Sequence, residues 1–130
     1  MPHPLPALIT LLTVLLQLGV MFNVGRTRGK YKIAPPATSG HPVVERALRI
    51  QMNTVESTLM FLPALWVFAI YRGDTWAGIL GAAWLVGRVA YAIGYQIAPA
   101  KRSAGFLIGF LAIVGLTLGG LISVVRALFF

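Results

Sequence analysis

The sequence has no cysteine, only three acidic residues and only two histidines in 130 positions. Without cysteine the chain can build neither a disulfide framework nor a thiolate metal site, so a thiol that enters its chemistry must arrive on a ligand. His3 and His41 stand apart with no companions at ligand spacing, and no metal site is expected. A glycine-rich phosphate loop is also missing. Charged side chains make up 11% of the chain and hydrophobic ones 58%, with a mean hydropathy of +0.82. That composition excludes an ordinary water-soluble domain. The 11 Lys and Arg residues concentrate between the apolar segments rather than along them, a pattern of basic membrane loops and not of a nucleic-acid surface.

A helix needs roughly 20 residues to cross the hydrocarbon layer. Four segments approach that length, at about residues 5–22, 54–71, 76–97 and 104–125, and predict a single all-α, integral membrane four-helix bundle occupying residues 1–130. The first segment reads as a permanent span and not a signal peptide, because no Lys or Arg precedes it and no small-residue cleavage site follows. Arg26, Arg28, Lys30, Lys32, Arg46 and Arg49 follow the first span, and Lys101 and Arg102 follow the third. The positive-inside tendency puts these connections in the cytoplasm and both termini on the opposite side. Residues 25–44, with Pro35, Pro36, Gly40 and Pro42, read as an ordered loop. The short Arg72-Gly73-Asp74 connection makes spans two and three an antiparallel hairpin. In the fourth span Gly105 and Gly109, then Gly115 and Gly119, are four apart, a spacing that permits close helix contact within one chain or between subunits.

Ionisable groups inside a span cost about 2.5–3.5 kcal/mol on insertion scales, so they face a bundle interior or a polar site. Arg46, Arg49, Asn53 and Glu56 are spaced by three, four and three, and Trp84, Arg88, Tyr91 and Tyr95 by four, three and four. Each set forms one helical stripe. Glu56 is the one carboxylate deep in a span and Arg88 the one mid-span cation, so the two are expected to pair, with both stripes facing each other or a neighbouring subunit. Trp66, Tyr71 and Trp76 read as an interface belt, Arg126 as a snorkelling cation, and Gln17 as an interhelix hydrogen-bonding group.

Several guanidinium groups beside amides and phenols form an anion site, since Arg offers paired donors that match a carboxylate. Glu56 could take an ammonium. A zwitterion with more than one carboxylate fits this inventory, and the apolar surroundings point to a lipophilic second reactant arriving through the bilayer.

The run from Glu45 to Glu56, with Arg46, Arg49 and Asn53 in place, resembles the helix-two signature of the MAPEG superfamily of membrane-associated proteins in eicosanoid and glutathione metabolism. Arg88, Tyr91, Tyr95 and the Arg102-Ser103 pair are similar to its later motif, and Ile33-Ala34-Pro35-Pro36 resembles its leukotriene C synthase branch. The resemblance implies a homotrimer holding glutathione between subunits near the cytoplasmic face. Arg49, Asn53 and Glu56, assisted by Gln51, would come from one subunit, and Tyr91, Tyr95 and Arg102 from its neighbour. Arg28 and Arg88 complete the implied glutathione-binding set. Arg102 would stabilise the glutathione thiolate, and Ser103 would donate a hydrogen bond to the sulfur. Ser57 stands where the leukotriene synthase branch has tyrosine, so eicosanoid specificity is not implied. The expected activity is glutathione transfer to a lipophilic electrophile, or glutathione-dependent peroxide reduction. The competing expectations are a non-catalytic lipid-binding or scaffold protein of the same fold and a small transporter or channel subunit, the latter disfavoured by unbroken helices and a single intramembrane carboxylate.

Overall fold

The computed structural model describes residues 2–130, and these form four long helices joined by short connections. Helix α1 spans Pro4–Tyr31, α2 Pro42–Arg72, α3 Asp74–Ile97 and α4 Ser103–Phe129, with a single 3₁₀ turn, Pro99–Arg102, before α4. All four are long and apolar enough to cross a membrane. Leu15, Phe22, Leu59, Val86 and Ile93 point outward and are exposed, a surface that water would not tolerate and a bilayer requires. The chain is a multi-pass integral membrane protein.

Helix ends follow local chemistry. Pro4 and Pro42 sit at first-turn positions, where a missing N–H costs nothing. The His41 ring accepts from the Val43 amide and so caps α2. At the far end of α1, Lys32 is left-handed and its amide bonds back to the Arg28 carbonyl. Arg28 Nη1 then donates to the carbonyls of Ile33 and Ala37 at 3.2 and 2.7 Å, tying down the connection.

Two boundaries differ from the sequence expectation. Residues 25–31 continue α1, and α2 begins at Pro42, so the expected loop over residues 25–44 contracts to residues 32–41. Both helices carry basic residues past their apolar segments, and hydropathy alone truncates a helix whose end lies in the polar zone. The α2–α3 hairpin turns on Gly73 alone, as its brevity suggested.

The core is a stack of Phe61, Leu65, Phe68, Trp84 and Leu116 between α2, α3 and α4, with Phe61 and Trp84 in parallel contact at 3.8 Å. Gln17 on α1 donates to the Thr54 carbonyl and the Thr58 hydroxyl on α2, which is the interhelix bond expected of it. Trp66 donates to Thr10 instead of serving only as a belt residue, whereas Tyr71 and Trp76 are exposed at the helix ends as a belt would be.

Helices α3 and α4 touch backbone to backbone. A Cβ on Gly105 would collide with the Tyr91 amide and the Gly87 carbonyl, and neither can yield. A side chain at Gly105 must therefore separate the helices, whereas one at Gly29, which has nothing within 4 Å, meets open space. Gly105→Val should lower stability by at least about 3 kcal/mol, the upper range for overpacking, while Gly29→Ala should raise it by about 0.5–1 kcal/mol. Unfolding of the detergent-solubilised variants reads both, and a Gly105→Val protein as stable as wild type would contradict the close contact.

Candidate functional site

The polar residues of the spans gather toward the end of the bundle that carries the α1–α2 and α3–α4 connections. The centre of this region is Arg88, which is 2% exposed. Its Nη2 donates to Asn53 Oδ1 and to Thr54 Oγ1, both at 2.9 Å, and its guanidinium lies 4.2 Å from the Tyr91 ring centre. A buried cation thus finds two neutral acceptors and an aromatic face. Its Nε has no partner among the described residues. One turn deeper, the Trp84 indole donates to Ser57 Oγ at 3.0 Å.

The expected Glu56–Arg88 pair does not form within the chain. Among the described residues the one contact of a carboxylate with a basic side chain is the His3–Asp74 hydrogen bond, at 2.8 Å, and Glu56 is exposed. The reason is helical phase. Ile50, Thr54, Ser57, Phe61 and Leu65 are the buried face of α2, and at about 100° per residue Glu56 projects well away from it. Arg88 meets Asn53 and Thr54 because they border that face.

Above Arg88 a cavity of about 660 Å³ opens, lined by Arg49, Asn53, Tyr91, Tyr95, Arg102, Ser103, Phe106 and Leu107. The Arg102 guanidinium lies 5.1 Å from the Tyr95 ring, and Tyr95 meets Tyr91 edge to face at 5.6 Å. Arg102 reaches this position because the 3₁₀ turn folds tightly onto α3 at Gly94, where a Cβ would overlap the Lys101 carbonyl. Ser103 opens α4, so the hydroxyl and the positive end of the helix dipole share one wall.

Six expected residues therefore meet in one chain. Tyr91, Tyr95 and Arg102 line the same cavity as Arg49 and Asn53, so the division between subunits implied by the family resemblance is not needed to bring them together. Others fall elsewhere. Gln51 lines an adjacent cavity of about 710 Å³ that shares Arg49 and Tyr95 and adds Glu45 and Arg46. Arg28 is engaged with the α1–α2 connection, Glu56 lines neither cavity, and Arg88 lies beneath the first one. Sequence patterning missed Thr54, which sits one position off the stripe, and the apolar wall of Phe106 and Leu107. The stacking of Phe106 on Phe110, with ring centres 6.4 Å apart, follows from their four-residue spacing and could have signalled that wall.

The charged lining of the cavity is two guanidinium groups and no carboxylate, with a third guanidinium under the floor. Such a lining is complementary to an anion, and its tyrosines and Asn53 add neutral polar groups.

A helical membrane protein with a cationic, aromatic-walled cavity at one end of the bundle is the class that fold and site define. The chain belongs to the MAPEG family, whose sequence pattern matches residues 6–122. It is 53% identical over 119 residues to an uncharacterized protein of Synechocystis, covering 92% of this chain and 87% of that protein. It is 35% identical over 121 residues to microsomal glutathione S-transferase 2 of Homo sapiens, covering 93% and 82%. Leukotriene C4 synthase of Cavia porcellus is 37% identical over 118 residues, covering 86% and 79%.

The Arg88 arrangement separates two substitutions. Asn53→Leu removes an acceptor from a buried cation and should cost about 1–3 kcal/mol, whereas Glu56→Gln breaks no contact with Arg88 and should cost less. Thermal unfolding in detergent compares them. Equal losses would restore a structural pairing for Glu56.

Proposed function

We propose that this protein is a membrane-embedded glutathione transferase in which a bound glutathione thiolate attacks lipophilic electrophiles. The observation that carries the reading is the cavity itself, whose charged lining is Arg49 and Arg102 alone. Its ligand must supply the negative charge, and glutathione supplies two carboxylates and an ionisable thiol. The similarity to microsomal glutathione S-transferase 2 supports the same assignment.

In this reading Arg49 holds a glutathione carboxylate with paired donors, and Asn53, Tyr91 and Tyr95 orient the peptide. Asn53 is well suited, because its carbonyl is committed to Arg88 and its amide N–H groups are left for a ligand. Arg102 faces the sulfur. A free thiol has a pKa of about 8.5, and an adjacent cation together with the start of α4 favours the thiolate. Ser103 donates to the sulfur. The thiol proton leaves to solvent, the sulfur lone pair forms a bond to the electrophilic carbon, and the departing group takes the electrons of the bond that breaks. Phe106 and Leu107 form the apolar side from which the second reactant approaches. The enzyme's contribution is proximity and electrostatic stabilisation of the thiolate.

Assembly as a homotrimer fits the exposed α2 face of Met52, Val55, Glu56 and Leu59. That face leaves a carboxylate uncovered within a span, and a neighbouring subunit would shelter it. The same assembly offers a route for Gln51, Arg28 and Glu56 to approach the ligand of an adjacent subunit. The basic residues Arg26, Arg28, Lys30, Lys32, Lys101 and Arg102 at the connection end orient the site to the cytoplasm, with both termini opposite.

The division of labour between the two cavity arginines is testable. Arg49→Leu should weaken glutathione binding about ten- to hundredfold, the effect of losing charged hydrogen bonds. Arg102→Leu should weaken binding less while lowering turnover of a model electrophile about a hundredfold. Calorimetric binding and a conjugation assay on solubilised protein give both numbers. An Arg102→Leu protein with wild-type turnover would remove Arg102 as activator, and a wild-type protein that binds no glutathione would overturn the function.

A further inference from the structure

A second group of polar residues, unused by the glutathione reading, lies where α1 meets α3. There a groove of about 420 Å³ is walled by Leu16, Val20, Val89, Ile93 and Ile97, and Asn23, Gln96 and Arg26 border it at the connection end. The Asn23 amide donates to Gln96 Oε1 at 2.8 Å and Arg26 Nη2 donates to Asn23 Oδ1 at 2.7 Å. The Gln96 side-chain amide donates in turn to the Val43 carbonyl, and the Gln96 backbone carbonyl accepts from Arg46. Both amides are thus occupied within the protein and form a platform.

Arg26 is different. It is exposed and makes one bond of the five its guanidinium can donate, and no carboxylate among the described residues lies within ion-pair reach of it. Lys30, also exposed, stands one turn further along the same face.

The dimensions identify the depth. Leu16 to Arg26 is about 15 Å along α1 and Val89 to Ile97 about 12 Å along α3, close to half of a hydrocarbon core of about 30 Å. The groove is therefore as long as one leaflet is deep, apolar along its length and cationic at the interface. We propose that it is a binding site for an anionic phospholipid of the connection-side leaflet, one acyl chain lying in the groove and the phosphate against Arg26. A zwitterionic headgroup would bring its own cation to Arg26 and Lys30. A second copy of this chain in the same orientation would present its equally basic connection end, so neither occupant matches the charge.

The test is photolabelling of the full chain in nanodiscs of equal phosphatidylglycerol and phosphatidylcholine, with a diazirine in one acyl chain of either lipid and the labelled residues mapped by peptide mass spectrometry. Labels should concentrate on the Leu16–Val20 and Val89–Ile93 stretches and favour phosphatidylglycerol. Arg26→Gln should reduce that preference about fivefold, the factor expected for one basic group at the surface. Its glutathione affinity should stay unchanged, which separates a lost lipid site from a damaged fold. Ile93→Trp, which fills the groove and keeps Arg26, should lose the concentrated labelling by both lipids. Labelling spread evenly over the outward helix faces, or equal for the two lipids, overturns the proposal. So does a groove that neither lipid labels, which would mean that another copy covers it. None of these outcomes depends on whether the wild-type protein proves to be a transferase.

Discussion

A buried guanidinium in an apolar bundle must be satisfied by whatever its neighbours provide, and the arrangement around Arg88 follows from that requirement. Removed from water and without a carboxylate, Arg88 is held by Asn53, Thr54 and the face of Tyr91. These contacts fix the rotation of α2 against α3 and turn Arg49 and Asn53 toward the side on which Tyr91, Tyr95 and Arg102 stand. The same cation commits the Asn53 carbonyl inward. Loss of the Arg88 contacts would leave a buried charge unpaired, which is among the costlier changes a bundle can suffer.

The second constraint is the closeness of α3 and α4. Glycines at 87 and 105 let the backbones touch, and Gly94 lets the Pro99–Arg102 turn fold onto α3. Together they put Arg102 and Ser103 on the cavity wall. Packing and cavity geometry are coupled here, since the glycines that allow the contact also set where the cation stands.

Much of this was legible in the sequence because a bilayer leaves few choices. Span number, the hairpin at Gly73 and the two polar stripes follow from hydropathy and the 3.6-residue period. Two readings failed for identifiable reasons. Hydropathy ends α1 and α2 where their residues become basic, although helices run on into the polar zone, so residues 25–31 and 42–44 belong to helices and not to the expected loop. Elimination pairs Glu56, the one carboxylate deep in a span, with Arg88, but an arginine can be satisfied by neutral acceptors, and the phase of α2 turns Glu56 away. The role of Thr54 was invisible because it depends on which flank of α2 Arg88 approaches, a tertiary fact. The cavity residues of α3 and α4 were recognisable by family resemblance, while their meeting with Arg49 and Asn53 inside one chain needed the structure.

The central claim is that a cation-lined cavity in a cysteine-free membrane protein binds a thiol and ionises it. The direct measurement is the ultraviolet absorbance of thiolate on titrating pH with saturating glutathione and wild-type protein. The account predicts that bound thiol ionises well below the value of about 8.5 of a free thiol, and that the shift vanishes on Arg102→Leu. Bound glutathione that titrates like free thiol in the wild-type protein would contradict it.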